Sequence, residues 1–217
     1  MKTKHGDTET RSLRGRKMDL KKKALMLSYF TVIYNIIEGI VSIIAGILAS
    51  GSIALIGFGI DSFIESLSGG IMIWRFGKHG KLSEEDEEKI EKRATKLVAI
   101  TFFILSAYIL FESVKKLYLH EKPEPSLFGI IIAIVSLIIM PILFYAKYRT
   151  GKALNSKSLV ADSKETLACM FLSVALLIGL GLNYLFGFWQ ADPIVGLIIV
   201  VFLVREGYET LEEEDEE

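Results

Sequence analysis

Apolar runs long enough to cross a bilayer constrain this chain more than any other feature. A hydrocarbon core about 30 Å thick takes a helix of about 20 apolar residues. Six stretches match or approach that length: 24–49, 53–74, 97–119, 127–145, 159–186 and the shorter 193–204 with its flanks. Hydrophobic residues are 51% of the chain, yet charged residues are 24%, so the two kinds are segregated along the sequence. The pattern predicts an all-α membrane protein, a bundle of six transmembrane helices. The expected division is a basic tail over 1–23, a six-helix domain over 24–211 and an acidic tail over 212–217. The last span relies on a helix continuing through Tyr208 and Leu211, and on Asp192 and Pro193 as capping residue and first helical residue. The first run is longer than the 7 to 15 apolar residues of a cleaved signal, so it reads as a span.

Lys and Arg in the short connections set the orientation. The N-terminus, the connection after the second run (Arg75, Lys78, Lys81, Lys89, Lys92, Arg93, Lys96) and the one after the fourth (Lys147, Arg149, Lys152, Lys157) are basic. The connections after the first and fifth runs hold neither residue, and the one after the third holds Lys122, with Lys115 and Lys116 near the helix end. Both termini are therefore expected in the cytoplasm and the protein in the cell membrane. Ser83 with Asp86 reads as a helix start, and the acidic residues after it as a solvated first turn. The terminal LEEEDEE reads as a disordered end. The net charge of -1 by itself says nothing about nucleic acid, but no basic stretch is interleaved with aromatics as a base-stacking surface needs.

The chemistry lies in polar residues inside the spans, where each charge is costly and asks for a partner or a function. "GIDSFIES" puts Asp61 and Glu65 four apart on the second helix, and the fifth carries Asp162, Glu165 and Cys169. Counted from opposite sides at about 1.5 Å per residue, Asp61 and Glu65 lie about 12 and 18 Å deep, and Glu165 and Cys169 about 10 and 16 Å. Residues four apart share a helix face, so two adjacent helices can aim four ligands at one region. Three carboxylates and a thiol suit a divalent cation: the double charge offsets their repulsion, and the thiolate favours a borderline or soft metal. Zn²⁺ fits best, with Cd²⁺, Mn²⁺, Fe²⁺ and Co²⁺ open. Such a site also binds protons, and alternate exposure to the two sides would make a metal/proton antiporter. Asn35 and Glu38 on the first helix, Asp162 and Asp192 are candidates for the pathway or for supporting the ligands. Lys164 is expected to snorkel or to form an ion pair. His5, His79 and His120 fall in the tail or connections. No nucleophile-and-base pair or cofactor motif points to an enzyme, and no cofactor is expected beyond the transported ion.

The segments "NIIEG...ASGSIALIGFGIDSFIES", "SLVADSKETLACMFLSVALLIG" and "WQADPIVGLIIVV" resemble the transmembrane domain of the cation diffusion facilitators, six-helix exporters of Zn²⁺ and related ions in exchange for protons. The resemblance covers roughly residues 29–211. It implies a metal held by Asp61 and Glu65 on the second helix and by Glu165 and Cys169 on the fifth. It also matches Asn35 and Glu38 to the polar pair of the family's first helix, and Asp192 with Pro193 to the start of the sixth. Zinc members usually offer His then Asp on the fifth helix and manganese members Asp and Asp, so Glu165 and Cys169 depart from both. The family's C-terminal cytoplasmic domain and histidine-rich loop have no counterpart in this sequence, which resembles a truncated branch. A homodimer is then expected through the membrane helices, where Gly39, Gly46, Gly69, Gly70, Gly179 and Gly181 allow close approach. The alternative function is a membrane protein that binds metal or regulates a partner without transporting.

Overall fold

The computed structural model describes residues 3–48, 53–77, 84–120, 127–186 and 188–215. These form six helices: α1 Thr3–Leu48, α2 Ile53–Gly77, α3 Glu84–Leu119, α4 Leu127–Leu154, α5 Lys157–Phe186 and α6 Ala191–Asp215. Among the described residues, four of them, α1 to α4, are long and apolar enough to cross a membrane. The helices pack as a ring in the order α1, α2, α3, α6, α5, α4, with α5 also reaching across to α2 and α3.

The packing inverts the pattern of a water-soluble protein. On α1, Ser28, Thr31, Asn35, Glu38 and Ser42 recur every three or four residues and are all buried, whereas Ile33, Ile37, Ile40, Ile44 and Ile47 form the opposite stripe and are exposed. On α4, Ile131, Ile134, Ile138 and Ile142 likewise point outward. Burying polar stripes and exposing isoleucine is stable only where the surroundings are hydrocarbon. The main apolar core lies among α2, α3, α5 and α6, built on Met72, Phe76, Phe102, Leu159, Ala168 and Leu203.

Several boundaries differ from the expectations. The supposed basic tail is helical from Thr3, so α1 has 46 residues and is about 69 Å long, well beyond a bilayer core. Residues 212–215 of the acidic end continue α6. That helix begins at Ala191, with Ile194 N donating to Gln190 O at 3.1 Å, so Asp192 sits in the first turn and does not precede it. The side chain of Asp192, together with His79 and Ser83, lies outside the described residues.

The largest correction concerns α4. The apolar run ends near Tyr145, but the helix continues to Leu154, so Lys147, Arg149 and Lys152 are helical. Only Asn155 and Ser156 connect it to α5. Asn155 takes a left-handed φ of 52°. Its N–H bonds Lys152 O at 3.3 Å and that of Ser156 bonds Gly151 O at 3.0 Å, the pair of bonds of a Schellman stop. Ser156 then caps α5, its Oγ accepting from Leu159 N at 3.3 Å. A Cβ on Gly151 would stand 3.1 Å from Val160 N, so glycine lets the two helices turn back tightly.

Two of the glycines expected at a dimer contact, Gly39 and Gly69, have an internal use. A Cβ on Gly39 would lie 2.9 Å from Gly59 O, one on Gly59 2.7 Å from Gly39 O, and one on Gly69 2.7 Å from a Val32 methyl. Gly39 and Gly69 therefore close the α1–α2 interface within one chain; around Gly70 there is open space.

The α2–α3 end of the bundle is clasped by charge. Arg75 at the end of α2 pairs with Glu91 Oε2. The other oxygen, Oε1, accepts from Ser158 N at 3.0 Å and from the hydroxyls of Ser156 and Ser158 at 2.9 Å each. Lys21 of α1 pairs with Glu87. The expected solvated first turn of α3 is thus solvated at Glu85 and Glu88 but serves as a fastening at Glu87 and Glu91. Lys164 forms the ion pair that was one of its two expected roles, with Glu206 on α6.

Candidate metal site

α2 and α5 run antiparallel through the centre of the ring and present matching polar faces. On α2 these are Asp61, Ser62, Glu65 and Ser68; on α5, Asp162, Glu165, Thr166 and Cys169; each is buried. The spacing of three and four keeps each set on one side of its helix. Ser68 Oγ donates to Asp162 Oδ1 at 2.7 Å, Glu65 lies beside Thr166 and Cys169, and Asp61 lies beside Cys169. The two columns are thereby in register from Ser68 and Asp162 at one end to Asp61 and Cys169 at the other.

Within the columns the acids divide into two kinds. Glu38 is satisfied: Tyr34 donates to Oε1 at 2.8 Å and Ser62 to Oε2 at 3.0 Å. Asp162 is satisfied by Ser68 and by Lys147 of α4, whose Nζ stands 2.9 Å from Oδ2. That approach is off the hydrogen-bond direction, so Oδ2 is paired by charge and lacks a directed bond. Asp61, Glu65 and Glu165 are the acids, among the described residues, with both carboxylate oxygens buried and without a hydrogen-bond partner.

The reason is that neighbouring donors are committed elsewhere. Glu165 lies beside Ser68 and Thr101, but Ser68 donates to Asp162 and Thr101 to Val98 O at 2.7 Å. Thr166, beside Glu65, accepts from Lys147 at 2.9 Å and donates to Asp162 O at 3.3 Å. Six bare carboxylate oxygens beside a buried thiol are costly to desolvate and are the donor set a cation would satisfy.

The carboxylates remain spread over a helical turn: among the described residues no three His, Cys, Asp or Glu side chains are gathered closely enough to hold an ion together. Asp61, Glu65 and Cys169 are mutual neighbours, while Glu165 stands to the α3 side, against Thr101. Asn35 is fully buried with neither amide atom bonded. Cys169 also packs on Met140, Leu143 and Tyr34. From Asp61 a cavity of about 70 Å³ leads along Tyr108 to Glu112 and Lys116 near the end of α3, between α2, α3, α5 and α6. Glu112 lies on this route and pairs with Lys115 at 3.5 Å.

Lys147, expected in a basic connection, is instead buried on α4 beside these acids. Hydropathy falls after Tyr145, so the sequence pattern alone ends the span before Lys147. The available signal was helical continuity: no proline or turn-forming cluster separates Tyr145 from Leu154.

Comparison with known proteins gives an independent view. The model of the cation efflux transmembrane domain matches residues 28–214. Transmembrane protein 163 of Xenopus laevis is 23% identical over 88% of this chain and 67% of its own length. The cation-efflux pump FieF of Shewanella oneidensis is 25% identical over 75% of this chain and 56% of its own. A cadmium, cobalt and zinc/H(+)-K(+) antiporter of Bacillus subtilis is 23% identical over 86% and 60%. The aligned region thus spans from just over half to two thirds of these relatives. With the family model covering residues 28–214, and with buried polar columns on two central helices of an all-α membrane bundle, the chain belongs to the cation efflux family.

Proposed function

We propose that this chain is a secondary transporter that exports a divalent metal cation from the cytoplasm in exchange for protons, with Zn²⁺ the favoured cargo. The observation that carries the reading is the set of bare carboxylates, Asp61, Glu65 and Glu165, stacked beside Cys169 on the two inner helices. Like charges so close together in a low dielectric hold either protons or a cation, which couples the two. The thiol favours Zn²⁺ or Cd²⁺ over harder ions. Ion binding would draw Glu165 from the α3 side toward Asp61, Glu65 and Cys169. All six helices span the membrane in this reading, and both termini lie in the cytoplasm. The cavity from Asp61 to Glu112 then serves as the exit, and the Arg75–Glu91–Ser158 clasp closes the cytoplasmic side. The name of the Bacillus subtilis relative, an antiporter of cadmium, cobalt and zinc, supports both the cargo class and the proton coupling.

The test is metal-driven proton movement in liposomes that hold the purified protein and a trapped pH-sensitive dye. Zn²⁺ or Cd²⁺ is expected to drive flux, and Asp61→Asn or Glu65→Gln to reduce it to background. If Zn²⁺, Cd²⁺, Mn²⁺, Fe²⁺ and Co²⁺ all drive none, transport is refuted; saturable binding without flux would instead favour the non-transporting alternative.

A further inference from the structure

Lys147 is fully buried, as is Asp162, with which it pairs at 2.9 Å. An ammonium so enclosed is expensive, and the pair is a poor source of stability compared with apolar side chains of the same volume. Its position supplies another use. Besides Asp162, it donates to Thr166 Oγ1 at 2.9 Å, and Thr166 lies beside Glu65. Lys147 is a charged neighbour of Glu65. The lysine thus stands at one end of the polar columns, in contact with α5 and facing α2, where Ser68 and Asp162 meet. Asp162 itself, with Ser68 and Lys147 on its two oxygens, is kept apart from the bare acids.

We propose that Lys147 is a tethered cation that tunes the cargo site, holding Asp162 out of the ligand set and limiting the affinity of the adjacent carboxylates for a divalent ion so that the ion can leave. The inference rests on the transport reading of those carboxylates. A positive charge fixed near a bound dication repels it strongly where water is excluded. A site of three carboxylates and a thiol without such a charge would bind its cargo too tightly to release it at useful rates.

The proposal predicts opposite signs for the two halves of one ion pair. Zn²⁺ affinity is measured on purified full-length protein in detergent at fixed pH by competition with a zinc indicator. Lys147→Met removes the repelling charge and frees Asp162, so it is expected to bind Zn²⁺ at least about tenfold more tightly than wild type. Asp162→Asn leaves the ammonium unpaired and directed at Glu65, so it is expected to bind at least about tenfold more weakly. The double variant K147M/D162N falls between the two. In liposomes K147M combines tighter binding with slower turnover.

A merely structural salt bridge behaves differently: both single variants weaken binding together and lower the thermal midpoint, and the double variant recovers both. That pattern, or no change in affinity beyond twofold in either variant, overturns the proposal. If K147M does not yield monodisperse protein, Lys147→Gln takes its place, and tighter binding by that variant remains the deciding sign, since Asp162→Asn weakens binding under either account. Wild-type protein that binds none of the five ions overturns the transport reading and this inference together, whereas wild-type binding with same-sign variants overturns only the role of Lys147.

Discussion

At the scale of single residues, what distinguishes the candidate ligands is the commitment of their neighbours. Glu38 and Asp162 have the same chemistry and the same burial as Glu65 and Glu165, yet hydroxyls and an ammonium satisfy the first two and leave the second two bare. Spacing alone could place all of these acids in the membrane but could not show where each nearby hydroxyl would send its proton. Cys169 gives the sharpest residue-scale test. Its sulfur lies beside both Asp61 and Glu65, so Cys169→Ser replaces a soft donor with a hard one at the same position. The variant is expected to lose Zn²⁺ and Cd²⁺ preference relative to Mn²⁺ by about tenfold or more in flux competition, as hard oxygen donors dictate. Unchanged selectivity would remove the thiol from the site.

At the scale of elements, two interfaces carry predictions of opposite kinds. The α1–α2 pair depends on backbone meeting backbone at Gly39 and Gly59, where an added methyl would stand within 2.9 Å of a carbonyl oxygen. Gly59→Ala is expected to destabilise the protein by about 1 to 3 kcal/mol, the usual cost of overpacking. Gly70→Ala, into open space, is expected to be neutral or to gain up to about 1 kcal/mol from helix propensity. Thermal midpoints in detergent separate the two. The second interface is the Glu91 clasp, which joins the end of α2 to the start of α5 through Arg75, Ser156 and Ser158. Glu91→Ala strands an arginine and frees the α5 N-terminus, costing about 1 to 3 kcal/mol. Faster hydrogen exchange at residues 156–160 is the expected local signature; exchange unchanged there would mean that the cap of Ser156 holds α5 by itself.

At the scale of the whole molecule, the ring order places α2 and α5 in mutual contact at the centre and gives α1 and α4 outward isoleucine stripes. The cavity from Asp61 opens between α2, α3, α5 and α6, at the end of the bundle opposite the Arg75–Glu91 clasp. A cysteine placed at Ser113, which lines that cavity, in a Cys169→Ser background is expected to react with a membrane-impermeant thiol reagent added outside the cell. Reaction only after the membrane is made permeable would reverse the assigned direction.

Much of this was legible in the sequence because bilayer physics leaves few choices. A run of 20 apolar residues has to be helical when no water can satisfy its backbone, and acids four apart have to share a face. The six helices, the central place of Asp61, Glu65, Glu165 and Cys169, and the polar stripe through Asn35 and Glu38 follow from those rules and from the family resemblance. Hydropathy failed at the ends of the helices, since a helix does not stop where its lipid contact stops: α1 runs through its basic start and α4 through Lys147 to Leu154. Only the tertiary structure decided which acids are bare and that a buried ammonium stands beside them. Those outcomes depend on which side chains of α1, α3 and α4 meet α2 and α5, and periodicity along one helix contains no record of its neighbours.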